Sequence, residues 1–162
     1  MSRVNEKQLF SKILVGIDGS TIALRAADSA ISIARQQNIS YIVALHVLPQ
    51  EIRYDSLIDR IDPDISSPVK GTIELASLEA QEWFNKIKEK HTGHDEQKIK
   101  IQTEVIVGTK FIATEILGYA ENNNVDLIVI GTKGRSTFKK ILLGSVASSV
   151  LAHAHCPVMV VK

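Results

Sequence analysis

A glycine-rich, basic segment lies between a predicted strand and a predicted helix. It runs from Gly131 to Ser145 and reads GTKGRSTFKKILLGS, with lysine or arginine at positions 133, 135, 139 and 140. The apolar run Val-Asp-Leu-Ile-Val-Ile precedes it, and Val146 opens a stretch with helical spacing. Glycines let a ligand approach the backbone, and the first amides of a helix favour an anion. The pattern therefore predicts a phosphate-binding loop.

Two common phosphate motifs do not describe this loop. It lacks the P-loop spacing, and no Gly-x-Gly-x-x-Gly follows the first predicted strand. Lys133 and Arg135 are nearest the bend and are the better candidates for phosphate contact. Simple alternatives stay open, because the glycines can serve a turn, the serine can cap its helix and the cations can be solvated. Two residues separate Gly131 from Gly134, and nine separate Gly134 from Gly144, which Ser145 follows directly.

Composition limits the class of protein. The 162 residues are 44% hydrophobic and 23% charged, which is typical of one globular domain with a buried core. A net charge of +1 gives no basic field to attract nucleic acid. A lone cysteine, Cys156, excludes an internal disulfide and fits a reducing compartment. The first residues hold no signal core, and no apolar run is long enough to cross a membrane, so we expect a cytoplasmic protein without a membrane partner.

Strand and helix patterns alternate along the chain. Because several strands are continuously apolar, the sequence predicts a single doubly wound α/β domain, Rossmann-like, with a parallel sheet of order 3-2-1-4-5 and helices on both faces. The third strand alternates polar and apolar residues and is expected near a sheet edge. Residues 49–68 hold three prolines and no period, and predict a variable loop. The predicted strands are 13–17, 41–48, 99–107, 125–130 and 157–161, and the predicted helices begin at Ser20 or Thr21, near 73, near 112 and at Gly144-Ser145.

In such a sheet, ligands bind outside the carboxyl ends of the strands. Asp18 follows the first strand and is the carboxylate that the pattern places at this edge with most certainty, although it can instead cap the first helix. The other predicted strand ends are His46-Val47, Gly108-Thr109-Lys110 and the segment from Gly131 onward.

The glycine spacing followed by serine resembles the ATP-binding branch of the universal stress protein family. The resemblance extends to the starting segment KILVGIDGS, to ALHV, to VDLIVIGTKGRS and to the ending HCPVMVVK. It covers roughly residues 11 to 162. Lys110 departs from the pattern, because many members have proline there.

The resemblance implies how a nucleotide would sit. Gly16 and Asp18 would lie beside the adenosine, and the backbone of Val47 would read the adenine edge while its side chain packs. A divalent ion, Mg²⁺, would bridge phosphate oxygens. The ribose and the phosphates would be enclosed by Ile130, Gly131, Gly134, Gly144, Ser145 and Val146.

Three functions remain open at this point. The preferred one is an ATP-binding switch or sensor of the stress response with slow or no hydrolysis, because no nucleophile–base pair can be placed at the strand ends. The second is an enzyme that hydrolyses ATP or transfers adenylate, although an adenylate-forming pyrophosphatase would carry Ser-Gly-Gly where this chain has Asp-Gly-Ser. The third is a partner-binding module with an empty cleft, against which the intact glycine motif counts.

His153, His155 and Cys156 match no zinc spacing, and the cysteine is expected to be a packed thiol.

The last predicted strand is expected to form a homodimer. Val158, Met159, Val160 and Val161 are consecutive apolar residues on a strand that the order 3-2-1-4-5 places at one edge. An unpaired apolar edge is a hazard unless it is covered, and pairing two copies about a twofold axis covers it. Members of the resembling family often dimerise in this way. The alternative is a monomer whose edge is covered by residues 49–68 or by the N-terminal arm.

Overall fold

Five strands and four helices alternate along the part of the chain that the structure describes. The structure is a computed structural model that describes residues 9–39, 41–48, 67–91, 99–108, 111–133 and 143–162, with only the backbone of 67–72. The elements are β1 (Ile13–Gly16), α1 (Thr21–Gln36), β2 (Tyr41–Leu48), α2 (Ser67–His91), β3 (Lys100–Val107), α3 (Ile112–Asn122), β4 (Leu127–Gly131), α4 (Ser145–His153) and β5 (Val158–Val161).

All the strands pair in parallel, in the order β3-β2-β1-β4-β5. Successive side chains of a strand point to opposite faces, so each apolar strand feeds two cores. One core packs the sheet against α1 and α2, and the other packs it against α3 and α4. The predicted doubly wound fold and its strand order are therefore confirmed.

The order in which successive strands are added to the sheet reverses between β1 and β4, which are neighbours. After β1 the chain turns to α1 on one face, whereas after β4 it turns to α4 on the other. Because the two connections leave in opposite directions, they open a crevice at the carboxyl ends of β1 and β4. This topological switch point positions the candidate site.

The two edge strands differ in chemistry. β3 is at least partly exposed along its whole length, which confirms the predicted edge position of this alternating strand. β5 is the other edge and carries the apolar sequence VMVV, with Met159 38% exposed. Within the described residues, no helix is long and apolar enough to span a bilayer.

Some element bounds differ from the predicted ones. α2 begins at Ser67, so the predicted loop 49–68 is wrong at its last two residues, and 49–66 lie outside the described residues. Pro68 is tolerated there because the N–H it lacks would have no intrahelical partner in the first turn. β4 begins at Leu127 instead of 125, and just before it the Asp126 carboxylate accepts hydrogen bonds from the Ser11 and Lys12 backbone N–H groups at 2.7 and 3.0 Å.

An ion-pair cluster joins α1 to the end of α2. Asp28 accepts from Lys90 Nζ at 2.7 Å and lies 3.0 Å from His91 Nε2. Partial burial acts to raise the pKa of Asp28, but hydrogen bonds from Lys90 and His91 outweigh it and hold the pKa below its ordinary value. The contribution of Asp28 to stability is therefore present at neutral pH and is lost as the pH falls through that lowered pKa.

Candidate functional site

The loop after β1 is shaped by its own side chains. Ser20 is the N-cap of α1, and its Oγ accepts the Ala23 N–H at 3.1 Å. Asp18 Oδ1 accepts the Ser20 N–H at 3.0 Å, while Gly19 takes a positive φ of 79°. Ser20 therefore caps the helix, and the alternative that Asp18 is the cap is wrong. Asp18 instead orders the turn that precedes the helix.

The end of β4 lies against the first turn of α1. A Cβ on Gly131 would lie 2.8 Å from Ile22 Cγ2 and 3.4 Å from Ala23 N. Glycine is thus required for packing at this position, in addition to any contact with a ligand. Thr132 follows as a buried polar residue, and its N–H donates to the Val161 carbonyl at 2.7 Å. These contacts fix the strand end beside the loop that carries Asp18.

The start of α4 is fastened to the end of β4. The Gly144 N–H donates to the Thr132 carbonyl at 2.7 Å, and a Cβ on Gly144 would lie 3.2 Å from the same oxygen. Gly144 is the N-cap of α4 and makes no side-chain cap hydrogen bond, unlike Ser20 at α1. The amino end of α4, with Ser145 and Val146, therefore lies at the switch point. Its first backbone amides are suited to bind a phosphate.

The end of β2 presents backbone groups to the crevice. Leu45 O accepts from Ile17 N at 2.8 Å, whereas Leu48 O accepts from Gly108 N at 2.9 Å. Backbone groups of successive residues in a strand point to alternate sides. Val47, like Leu45, therefore directs its N–H and carbonyl toward β1. Its side chain is buried in the core beneath α3, as the resemblance implied.

His46 holds the neighbouring carbonyl of the β1 loop. Its Nδ1 donates to Ile17 O at 2.6 Å, which assigns the ring proton to Nδ1 because a carbonyl can only accept. The imidazole meets the Trp83 indole edge to face, with the ring centroids 5.2 Å apart. Trp83 also lies against Gly19, where an added Cβ would be 2.4 Å from Cε2. The sequence placed His46 at a strand end but gave no sign of this contact.

Packing does not require glycine at position 16. A Cβ there would meet Ile130 Cγ1 at 3.7 Å and Ile116 Cδ1 at 3.9 Å, which are ordinary van der Waals distances. Ile130 is buried, and its side chain belongs to the core beneath α3 and α4. The β1 and β4 ends thus give the crevice an apolar floor.

Comparison with known proteins places this arrangement in a family. The family model for the Universal stress protein family matches residues 9–162. The chain belongs to the universal stress protein family. It is 38% identical over 162 residues to universal stress protein MJ0531 of Methanocaldococcus jannaschii, with 98% of this chain and 85% of that protein covered.

Two solved structures of universal stress proteins share the fold. The UspA protein of Lactobacillus plantarum superposes with a TM-score of 0.78 at 23% identity, over 94% of this chain and 98% of that one. A universal stress protein of Archaeoglobus fulgidus, solved in complex with dAMP, gives a TM-score of 0.64 at 22% identity, over 95% of this chain and 99% of that one. At these identities the likeness concerns the fold alone.

Most of the predicted site residues of this universal stress protein lie at the carboxyl ends of the sheet strands or at the start of α4. Gly134 and Arg135 are outside the described residues, as are Lys139 and Lys140. Lys133 is described and partly buried. The arrangement combines a carboxylate acceptor, an apolar floor and helix amides, which together suit a ligand with one polar, one apolar and one anionic part. The residues in this region are Gly16, Asp18, Val47, Ile130, Gly131, Lys133, Gly144, Ser145 and Val146.

The cysteine of this universal stress protein is not part of the crevice. Cys156 packs against the core beneath α3 and α4, which confirms the predicted packed thiol. Partial burial, and secondarily the Asp126 carboxylate, raise the pKa of Cys156 above its ordinary value. A raised pKa keeps the thiol protonated, and hence a poor nucleophile, at neutral pH. Within the described ranges, no three His, Cys, Asp or Glu side chains form a potential metal site.

Proposed function

We propose that this protein binds ATP at the switch point and acts as a nucleotide-dependent switch or sensor in the stress response, with slow or no hydrolysis. The observation that carries the proposal is the 2.7 Å hydrogen bond from Gly144 N–H to the Thr132 carbonyl. It sets a helix amino end beside the end of β4, where the phosphates of a nucleotide in the crevice would arrive. The dAMP complex of the Archaeoglobus relative supports an adenine nucleotide as the ligand class.

The adenosine half would contact the ends of β1 and β2. Asp18 supplies a carboxylate acceptor next to a loop whose shape is set by the Ser20 hydrogen bond and by Gly19. Val47 directs backbone groups toward the same space, and Gly16 offers a strand surface without a side chain. Since packing at Gly16 leaves room for a Cβ, close approach of a ligand is a sufficient reason for glycine there.

The phosphate half would contact the ends of β4 and the start of α4. Gly144, Ser145 and Val146 would contribute backbone amides and one hydroxyl, and Lys133 would contribute charge. The sequence motif adds Gly134 and Arg135 to this set. Mg²⁺ would be held chiefly by the phosphate oxygens, where it neutralises their charge, since this ion commonly needs few protein ligands when phosphates are present.

We expect ATP with Mg²⁺ to bind at about one molecule per chain and to be turned over far more slowly than the roughly 10 per second typical of enzymes. The reason is that Asp18 orders its own loop through the Ser20 N–H, and among the described residues no hydrogen bond joins it to a histidine or a second carboxylate. Calorimetry measures the binding, and a steady-state phosphate-release assay measures the turnover. Fast, saturable release that Asp18→Asn abolishes would favour the enzyme instead.

We also propose that two copies pair through β5. Ile128 N donates to Pro157 O at 3.0 Å and Thr132 N to Val161 O at 2.7 Å. By alternation, residues 157, 159 and 161 direct their backbone groups to β4, while Val158 and Val160 direct theirs away from the sheet. The outward N–H groups, with the exposed side chain of Met159, form an edge that a second copy would cover.

Val160→Pro is therefore expected to give monomers that still bind ATP, because proline removes an outward donor without touching the bonds to β4. Met159→Pro is the contrasting variant, since it removes a donor that faces β4 and should lower the melting temperature as well. Light scattering on the parent and both variants gives the mass. A parent that is monomeric at high concentration, or a Val160→Pro variant that stays dimeric, would rule out the β5 interface.

A further inference from the structure

The backbone hydrogen bonds between β1 and β2 end one bond earlier than a continued parallel ladder would. The last backbone bond between them runs from Ile17 N to Leu45 O at 2.8 Å. In a parallel ladder the next bond would run from Val47 N to the Ile17 carbonyl. In the described part of the chain no hydrogen bond joins those two groups. The Ile17 carbonyl accepts instead from His46 Nδ1, at 2.6 Å.

A side chain has thus replaced a backbone donor at the end of the ladder. A carbonyl at the edge of a core needs a partner, and the His46 imidazole meets that need. Val47 N–H points toward β1, but the carbonyl that would accept it in a continued ladder is hydrogen-bonded to the ring instead. The consequence is an open backbone donor beside the loop that carries Asp18.

Trp83 fixes the imidazole in the position this exchange requires. The two rings meet at 90° with their centroids 5.2 Å apart. The indole also lies against Gly19, so the ring packs against both the histidine and the β1–α1 loop. Trp83 is 9% exposed, and a packed ring of this kind leaves its neighbour few rotamers.

We propose that His46 is a positioning residue of the nucleotide site: by taking the Ile17 carbonyl, it keeps the Val47 N–H open for the adenine base. The identity of the ligand rests on the proposed function, whereas the exchange of donors is a property of the protein without ligand. His46 acts through the backbone of Val47 and contacts no reacting atom. Its role is to prevent β1 and β2 from closing their last ladder bond.

Amide hydrogen exchange of Val47 in nucleotide-free protein tests directly whether the His46 side chain has replaced the Val47 N–H as the donor to the Ile17 carbonyl. In His46→Leu the Ile17 carbonyl loses its partner, so Val47 N–H should close the ladder bond and exchange at least about tenfold more slowly than in the parent. In His46→Asn the side-chain amide nitrogen holds the same covalent position as Nδ1 and should keep the parent's rate. A Val47 amide that exchanges equally fast in the parent and in His46→Leu, or that is already protected in the parent, overturns the proposal.

Adenine-nucleotide affinity provides the second readout. We expect His46→Leu to bind ATP about tenfold more weakly, as for one lost hydrogen bond, and His46→Asn to recover most of that loss. Equal losses in both variants, matched by equal falls in melting temperature, would mean that the ring only packs. A parent that binds no adenine nucleotide would contradict the proposed function but leave the exchange experiment to decide the role of His46.

Discussion

Gly144→Val is expected to weaken ATP binding by at least about a hundredfold, since it would cost two or more charge-assisted hydrogen bonds to phosphate. A Cβ added at this position would lie 3.2 Å from the Thr132 carbonyl oxygen, and the larger side chain would also cover the first amides of α4. Calorimetry with ATP and Mg²⁺ measures the loss. Gly134→Val is the companion variant, and it tests the glycine motif at a position outside the described residues.

Gly118→Ala is the matched control for these glycine variants. Gly118 lies within α3, and a Cβ there would meet nothing within 4 Å. Alanine should therefore leave ATP binding unchanged and stabilise the protein by about 0.5–1 kcal/mol, as is usual inside a helix. Melting temperatures separate a lost site from a lost fold. If Gly144→Val and Gly134→Val both bind ATP as tightly as the parent, the loop is not the phosphate site.

Gly19→Ala is expected to destabilise the protein by about 2–5 kcal/mol. The positive φ of 79° costs a non-glycine residue about 1–2 kcal/mol, and the added carbon would lie 2.4 Å from the Trp83 ring, which adds an overpacking cost of about 1–3 kcal/mol. Urea unfolding followed by circular dichroism gives the free energy without relying on the fluorescence of a disturbed indole.

Two further variants separate the causes of that loss. Gly16→Ala adds the same carbon to the preceding strand at ordinary contact distances, so it should change stability by less than about 1 kcal/mol. In a Trp83→Leu background, Gly19→Ala should cost less than it does in the parent. The difference between the two costs is the part of the loss that arises from overpacking. A Gly19→Ala variant as stable as the parent would show that the loop and the indole separate easily, contrary to the close contact described above.

Local patterns predicted the fold well because they state which faces are buried. The alternation in β3 indicated an edge strand, and β3 lies at the edge. Glycine and serine before a helical period indicated the start of α4, and α4 begins at Ser145 with Gly144 as its N-cap. The switch point followed from the alternation of strands and helices alone, because parallel crossovers permit few topologies.

The contacts inside the site could not be predicted, since they join distant segments. Nothing in the sequence near Gly131 shows that Ile22 requires its glycine, and nothing near His46 shows that its ring takes the carbonyl of Ile17. The predicted first strand also ran to Ile17 for this reason, whereas β1 ends at Gly16. Gly134 and Arg135 remain predictions of the motif.

The bond between Gly144 and Thr132 has a consequence for protein engineering. It joins main-chain atoms of Thr132 and Gly144, so it fixes the two residues that flank the intervening segment without depending on side chains. Residues 136–142, which follow the motif residues Gly134 and Arg135, can therefore be treated as a replaceable segment. Segments of other lengths and charges could be transplanted between fixed anchor points, and ligand preference could be varied while the scaffold is kept constant.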